Sequence, residues 1–463
     1  MTVDEKWQAA RLFPITGIGN ADEQERRGCS VLLAVIASVR EFGRALTGRC
    51  GAPVGTIETF IEVPFETGGA HCRPDGLIRV TRGQKTWTAL VEVKAGRNDL
   101  KADQVSTYLD VAREQGYDAV VTISHQVATT PGVHPIQVDK RKTRKVALHH
   151  LSWSRIHTEA LIQQANHTVS DPDQAWLLSE FIRYIEEPKS GALDFEDMGP
   201  SWVGVRNGAA QQTLRAGDPE TLAVVSRFDQ LVAFCGMGLS RRLGVHVGQR
   251  LSRNELADQA TRLQAQAAQL AKSGELGGAL VVPNAAVPID VVVDLRANRV
   301  DAKATIDAPL DRRPSARVTW LLNQLKGAPP TLQIVANVAR SKTASRSYLL
   351  STLVENPKAI VEQPAVDIRS FTLTLSQMAG TKRGQSRGSF VSSVTGLVDR
   401  FYVEVVQPLK AWTPRAPKPK AGDDAASEAA PVLALEPVRP LQLGSPGAVG
   451  GPFDAAERST PGA

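Results

Sequence analysis

The sequence predicts an α/β protein of two folded parts and a tail. A compact unit over residues 1–165 has the element order αβββαβ, an α+β domain follows over 170–411, and 412–463 is a disordered Pro/Ala/Gly-rich segment. Three observations carry this reading. Helix-period and strand-period apolar patterns succeed one another through the first 125 residues. At 463 residues and 42% hydrophobic, the chain exceeds the roughly 250–300 residues at which a single core stops growing. Nine of its 28 prolines fall in the last 51 residues, a composition that supports no core.

The first helix is predicted over "NADEQERRGCSVLLAVIASVREFGRALTG", with Asn20 as N-cap, Leu32, Ile36, Val39, Phe42 and Leu46 on one face, and Gly48 near its end. "TIETFIEVPF" follows as a strand. "DGLIRV" and "WTALVEVKA" form a hairpin around the turn-like "TRGQKT". "DLKADQVSTYLDVAREQG" is a helix with Leu100, Val105, Leu109 and Ala112 on one side and Gly116 as its stop. "DAVVTIS" is a short strand of the fully buried kind. In the second domain, helices are expected over 218–243, 253–274, 314–327 and 389–410, a hairpin over 289–307, and strands at "TLQIVANV" and "FTLTLSQM".

Bulk chemistry narrows the function classes. With 54 basic and 48 acidic residues the net charge is +6, which permits a polyanionic partner without demanding one. Cys29, Cys50, Cys72 and Cys235 have no CxxC spacing, so reduced, buried thiols are expected rather than disulfides or a zinc site. The N-terminus has no apolar leader, and no run of roughly 18 apolar residues is evident. The expectation is a cytoplasmic protein without a membrane partner.

The informative stretch is "CRPDGLIRVTRGQKTWTALVEVKAG", residues 72–96. Side chains alternate along a strand, so Glu92 and Lys94 share one face while Val91, Val93 and Ala95 take the other. A plain ion pair is the simplest account of the two charges. The hairpin, however, brings Asp75 alongside Glu92, and two adjacent carboxylates repel unless a proton or a cation lies between them. Oxygen ligands suit Mg²⁺ (or Mn²⁺), so Asp75 and Glu92 are the candidate metal ligands and Lys94 the residue serving the nucleophile. Glu25 falls on the apolar face of the first helix and is a third candidate acid; a first-turn acid favoured by the helix dipole is the equal alternative. Gln104 and Tyr108, four apart on the next helix, share a face.

Pro74-Asp75, then Glu92-Val93-Lys94, in an αβββαβ order, resembles the PD-(D/E)XK nuclease superfamily, the restriction-endonuclease-like fold. Gln104 and Tyr108 match the QxxxY motif of its RecB-like branch. The resemblance covers about residues 20–125. It implies Asp75 and Glu92 as metal ligands with the Val93 carbonyl beside them, Glu25 as a helix-borne acid at the metal, Lys94 as the catalytic lysine, and Gln104 and Tyr108 as supports. The chain as a whole also resembles long actinobacterial proteins, some of them labelled stress-response proteins.

"DKRKTRK" supplies Lys140, Arg141, Lys142, Arg144 and Lys145, either a track for a phosphate backbone or a solvated face. His149 and His150 read as core packing. Gly17 and Gly19 lack a following phosphate-loop lysine. The leading expectation is a metal-dependent nuclease acting on nucleic acid, DNA before RNA. The alternative is a non-catalytic nucleic-acid-binding or protein-interaction protein, related to stress or defence, engaging partners through the 170–411 domain or the tail.

Overall fold

The computed structural model describes residues 10–413, apart from 68–69, 97, 131, 193–194, 339–346, 362–366, 383 and 385. Its first helix, α1 (Ala21–Ser38), starts where Asn20 accepts the Glu23 N–H at 2.9 Å. The predicted stripe is buried throughout, but the helix breaks at Val39, which is extended, and resumes as α2 (Arg40–Arg49). Gly43 explains how tightly the two pack: a Cβ there would stand 2.1 Å from the Ile36 carbonyl oxygen. Periodicity survives the break because both helices face one core, so the sequence pattern reads as one helix.

Strand β1 (Thr56–Ile61) is followed by a small hairpin of β2 (Phe65–Thr67) and β3 (Ala70–Cys72). Next come β4 (Gly76–Arg82), β5 (Lys85–Val93), α3 (Ala102–Glu114) and β6 (Ala119–Ser124). A further strand, β7 (Ala147–Ser152), contains both histidines of "VALHHLSW" and was not foreseen as a strand. The five-stranded sheet has the order β1-β4-β5-β6-β7, antiparallel from β1 to β5 and parallel from β5 to β7. One face packs on α1, α2, α4 (Trp153–Ala165) and α5 (Pro172–Ile185), and the other on α3. This core therefore takes in Phe181, Ile182 and Ile185, past residue 165, where the sequence reading ended the domain.

The second half continues with α6 (Trp202–Gln211), α7 (Pro219–Leu243), β8 (Gly248–Gln249), α8 (Arg253–Ala257), α9 (Gln259–Ser273) and β9 (Glu275–Val281). It proceeds through β10 (Ile289–Asp294), β11 (Arg299–Asp307), α10 (Pro314–Gln324), β12 (Gln333–Val338), β13 (Ser347–Leu349) and α11 (Leu350–Glu355). The last elements are β14 (Ile368–Met378) and α12 (Phe390–Phe401), which runs on into a π-turn, Tyr402–Val406. The seven-stranded sheet is antiparallel, in the order β13-β12-β14-β11-β10-β9-β8. The helix expected over 253–274 splits at Asp258, whose carboxylate accepts the Thr261 N–H at 3.0 Å and starts α9. Among the described residues α7 is long and apolar enough to cross a membrane, although Arg227, Asp229 and Gln230 interrupt its apolar sequence. Val224, Phe228, Leu231 and Met237 on it are buried in the second core, which accounts for its hydropathy. Trp412, assigned above to the tail, is stacked under the Arg312 guanidinium at 4.1 Å; residues 414–463, for which disorder was expected, lie outside the described residues.

Both sheets belong to one compact unit ending at Pro414. Arg262 of α9 and Asp229 of α7 form a buried two-pronged pair, Nη1–Oδ1 and Nη2–Oδ2 both 2.6 Å. Arg262 also donates to Thr130 Oγ1 at 3.2 Å, and Gln259 Nε2 to Thr129 Oγ1 at 2.9 Å. The loop after β6 is thereby tied to the helices of the second sheet. Removing one partner strands a desolvated charge: Asp229→Ala should lower the unfolding free energy by about 3–5 kcal/mol, while Asp229→Leu combined with Arg262→Met should recover most of it. Urea unfolding of the three proteins measures both.

Candidate active site

Gly76 opens β4 directly opposite Val91 of β5, so the next pair outward is Asp75 and Glu92, on one face of the ladder. Gly76 lies hard against α1, since a Cβ there would meet Leu33 Cδ1 at 2.4 Å. That approach brings the first turns of α1, and Glu25 with them, to the end of β5. Asp75 is locked in place twice. Its Oδ2 accepts the Val93 N–H at 2.7 Å, and its carbonyl accepts the Glu62 N–H at 3.0 Å.

Glu92 is 1% exposed, and neither of its buried carboxylate oxygens has a well-directed hydrogen bond. Lys94 Nζ is close to it, 2.6 Å from Oε1, but badly aligned for one. The Tyr108 hydroxyl faces Glu92 and receives the Gln104 amide N–H at 3.0 Å. Gln104 and Tyr108 lie on the first turns of α3, which covers this face of the sheet.

Lys94 is held from behind. Glu25 Oε2 stands 3.3 Å from its Nζ, and the indole N–H of Trp153 donates to its carbonyl at 2.9 Å. Glu25 Oε1 in turn accepts from Asn98 Nδ2 at 2.7 Å and from the Ala95 N–H at 3.4 Å. Both oxygens of Glu25 are thus engaged, one by the lysine and the other by Asn98 and the Ala95 N–H. Asn98 and Trp153 were not foreseen. Asn98 carries no motif signal, and Trp153 is 59 residues from Lys94 in sequence, beyond any spacing rule.

The electrostatics follow from crowding in a dry place. Burial first, and then the Asp75 charge, push Glu92 up to about 7 against the opposing pull of Lys94 and Tyr108. Burial likewise raises Asp75, with the Val93 N–H and Lys94 opposing. For Lys94 burial pulls downward, but Glu92, Glu25 and Asp75 outweigh it and hold the ammonium above its ordinary value. The two facing acids therefore share protons near neutral pH unless a cation replaces them.

A hard divalent cation fits this chemistry: buried carboxylate oxygens without directed donors, on two strands held in register. The set is lean. Among the described residues no cluster of three or more His, Cys, Asp or Glu side chains is arranged to hold a metal, so Asp75 and Glu92 are the side chains available and main-chain oxygen and water would complete the shell. Val93 is engaged there through its N–H.

The basic run is only partly free. Lys142 is tied down to α3, its Nζ 2.5 Å from Asp110 Oδ2 and 3.2 Å from the Ser106 carbonyl. Lys140, Arg141, Arg144 and Lys145 are exposed. His150 is a satisfied core histidine: Nδ1 is 2.8 Å from Thr122 Oγ1 and Nε2 is 2.8 Å from the Gln126 carbonyl. Burial pulls it down to about 3. The four cysteines are free and buried. Compared with known proteins, the chain matches no family model, no curated protein and no solved structure.

A carboxyl raised on folding stabilises while it holds its proton. From the ordinary value of 4.5 up through about 7, the folded metal-free protein binds the Glu92 proton and the unfolded chain does not. Stability should be full below that window and fall by up to about 3 kcal/mol across it as the pH rises. Urea unfolding in chelator at several pH values should show this slope, and Glu92→Gln should flatten it.

Proposed function

We propose that the protein is a metal-dependent nuclease of the PD-(D/E)XK type, hydrolysing phosphodiester bonds in nucleic acid, with DNA preferred over RNA as the substrate. The observation that carries the reading is the pairing of Asp75 with Glu92 across neighbouring strands, with Lys94 2.6 Å from Glu92. The motif residues, far apart in sequence, converge here. The order of elements supports the same reading: a helix bearing an acid, an antiparallel hairpin bearing the metal ligands, and a helix leading to a parallel strand.

Asp75 and Glu92 would hold Mg²⁺ or Mn²⁺, which when bound polarises a phosphoryl oxygen and acidifies a water. Oδ2 of Asp75 is occupied by the Val93 N–H, so Oδ1 would be the oxygen offered to the cation. Tyr108, itself oriented by Gln104, faces Glu92 from α3. Lys94 keeps its proton at Nζ, so it acts as a hydrogen-bond donor to the attacking water and offsets the charge that builds on the phosphoryl oxygens. Glu25 and Trp153 prevent the lysine from swinging away. The exposed Lys140, Arg141, Arg144 and Lys145 would meet the backbone of the substrate.

One observation favours the rival reading, a binding protein without catalysis. Lys94 already sits against Glu92, as in a structural ion pair. Single-stranded DNA, double-stranded DNA and RNA incubated with Mg²⁺ or Mn²⁺ decide between them. The wild type should cleave DNA, and Asp75→Ala and Lys94→Ala should each lose about 10²-fold or more of the rate while still binding it. Cleavage retained by both variants would remove the assignment, and binding without cleavage by the wild type would establish the rival.

A further inference from the structure

A cavity of about 380 Å³ lies where the two sheets meet, lined among others by Arg49, Arg155, Thr129, His149 and Gln249. It is separate from the Asp75–Glu92 site, and none of the motif residues contributes to it. Its charges do not balance. Arg49, at the end of α2, pairs with Glu159 at 3.1 Å, and the same Glu159 oxygen is 3.4 Å from His246 Nε2. Arg155, on the first turn of α4, is half-buried, and among the described residues its guanidinium has neither a hydrogen-bond nor an ion-pair partner. One carboxylate thus faces two guanidiniums in a partly enclosed space, and the excess positive charge favours the entry of an anion. Burial and then the Arg49 charge pull Arg155 down to about 10, with Glu159 opposing.

A second polar group in the cavity is incomplete. Gln249 Nε2 donates to the Asp229 carbonyl and to Asp229 Oδ1, while its Oε1 is buried with no donor. The lining therefore asks for an anion at one place and for an N–H or O–H at another. The volume is that of a small-molecule site and not of a nucleic-acid groove. Guanidiniums in pairs match the several oxygens of a phosphate group.

We propose that this cavity binds a phosphate monoester, its oxygens held by Arg155 and Arg49 and its organic part donating to Gln249 Oε1. The site stands independently of the nuclease reading.

The test is titration of the full chain in EDTA, so that the Asp75–Glu92 site takes no part, at constant ionic strength, followed by calorimetry and thermal unfolding. The probes are inorganic phosphate, adenosine 5′-monophosphate and adenosine. Phosphate and the monophosphate should each bind saturably and raise the melting temperature, and adenosine should not. A monophosphate tighter than inorganic phosphate supports recognition of the organic part; equal affinity overturns that part and leaves a site for free phosphate. Arg155→Met should weaken binding at least about tenfold without lowering the melting temperature of the ligand-free protein, and Arg155→Gln serves if that variant does not fold. No saturable binding, or binding undiminished in both variants, overturns the proposal.

Discussion

The structure turns on one costly pairing, two carboxylates facing each other at the end of an antiparallel ladder with little water to solvate them. Asp75 is pinned by the Val93 N–H, and Glu92 is enclosed by the sheet and α3. For Asp75 to turn outward it would have to give up the Val93 N–H. Their mutual repulsion is thus built into the fold, and a proton or a cation has to settle it. Everything else near this point either tolerates that charge or exploits it.

Lys94 shows how the surroundings adapt. Alone in such a place an ammonium would be driven toward neutrality by desolvation, yet three carboxylates within reach keep it charged. Glu92 contributes most to that, and Glu25 adds a further counter-charge from a different element, α1. The Trp153 indole pins the backbone of Lys94 from α4. The site is therefore assembled from three separate helices around two strands, which is why the packing of α1 against Gly76 matters as much as the carboxylates themselves.

The junction between the two sheets obeys the same rule with the opposite outcome. Asp229 and Arg262 are buried and paired, two prongs on two oxygens with threonine hydroxyls beyond them, and Arg262 Nε alone is left without a partner among the described residues. Such a pair specifies geometry more than it adds stability. A short distance away, Arg155 lacks such a partner. An arginine paired with a carboxylate and one without such a pair line the same interface, and the second faces the cavity there.

Much of this was legible in the chain itself. Alternation along 87–95 determined that Glu92 and Lys94 share a face, the hairpin signals around Gly83 placed Asp75 opposite Glu92, and helical spacing put Gln104 above Tyr108. These are local regularities, fixed by backbone geometry within a few residues. The split of the first helix at Val39, the strand through His149 and His150, the contact of Glu25 with Lys94 and the arrival of Trp153 behind Lys94 were decided only in the folded molecule. Each depends on which surfaces meet across long separations in sequence, and periodicity carries information about a face being buried but none about what it is buried against.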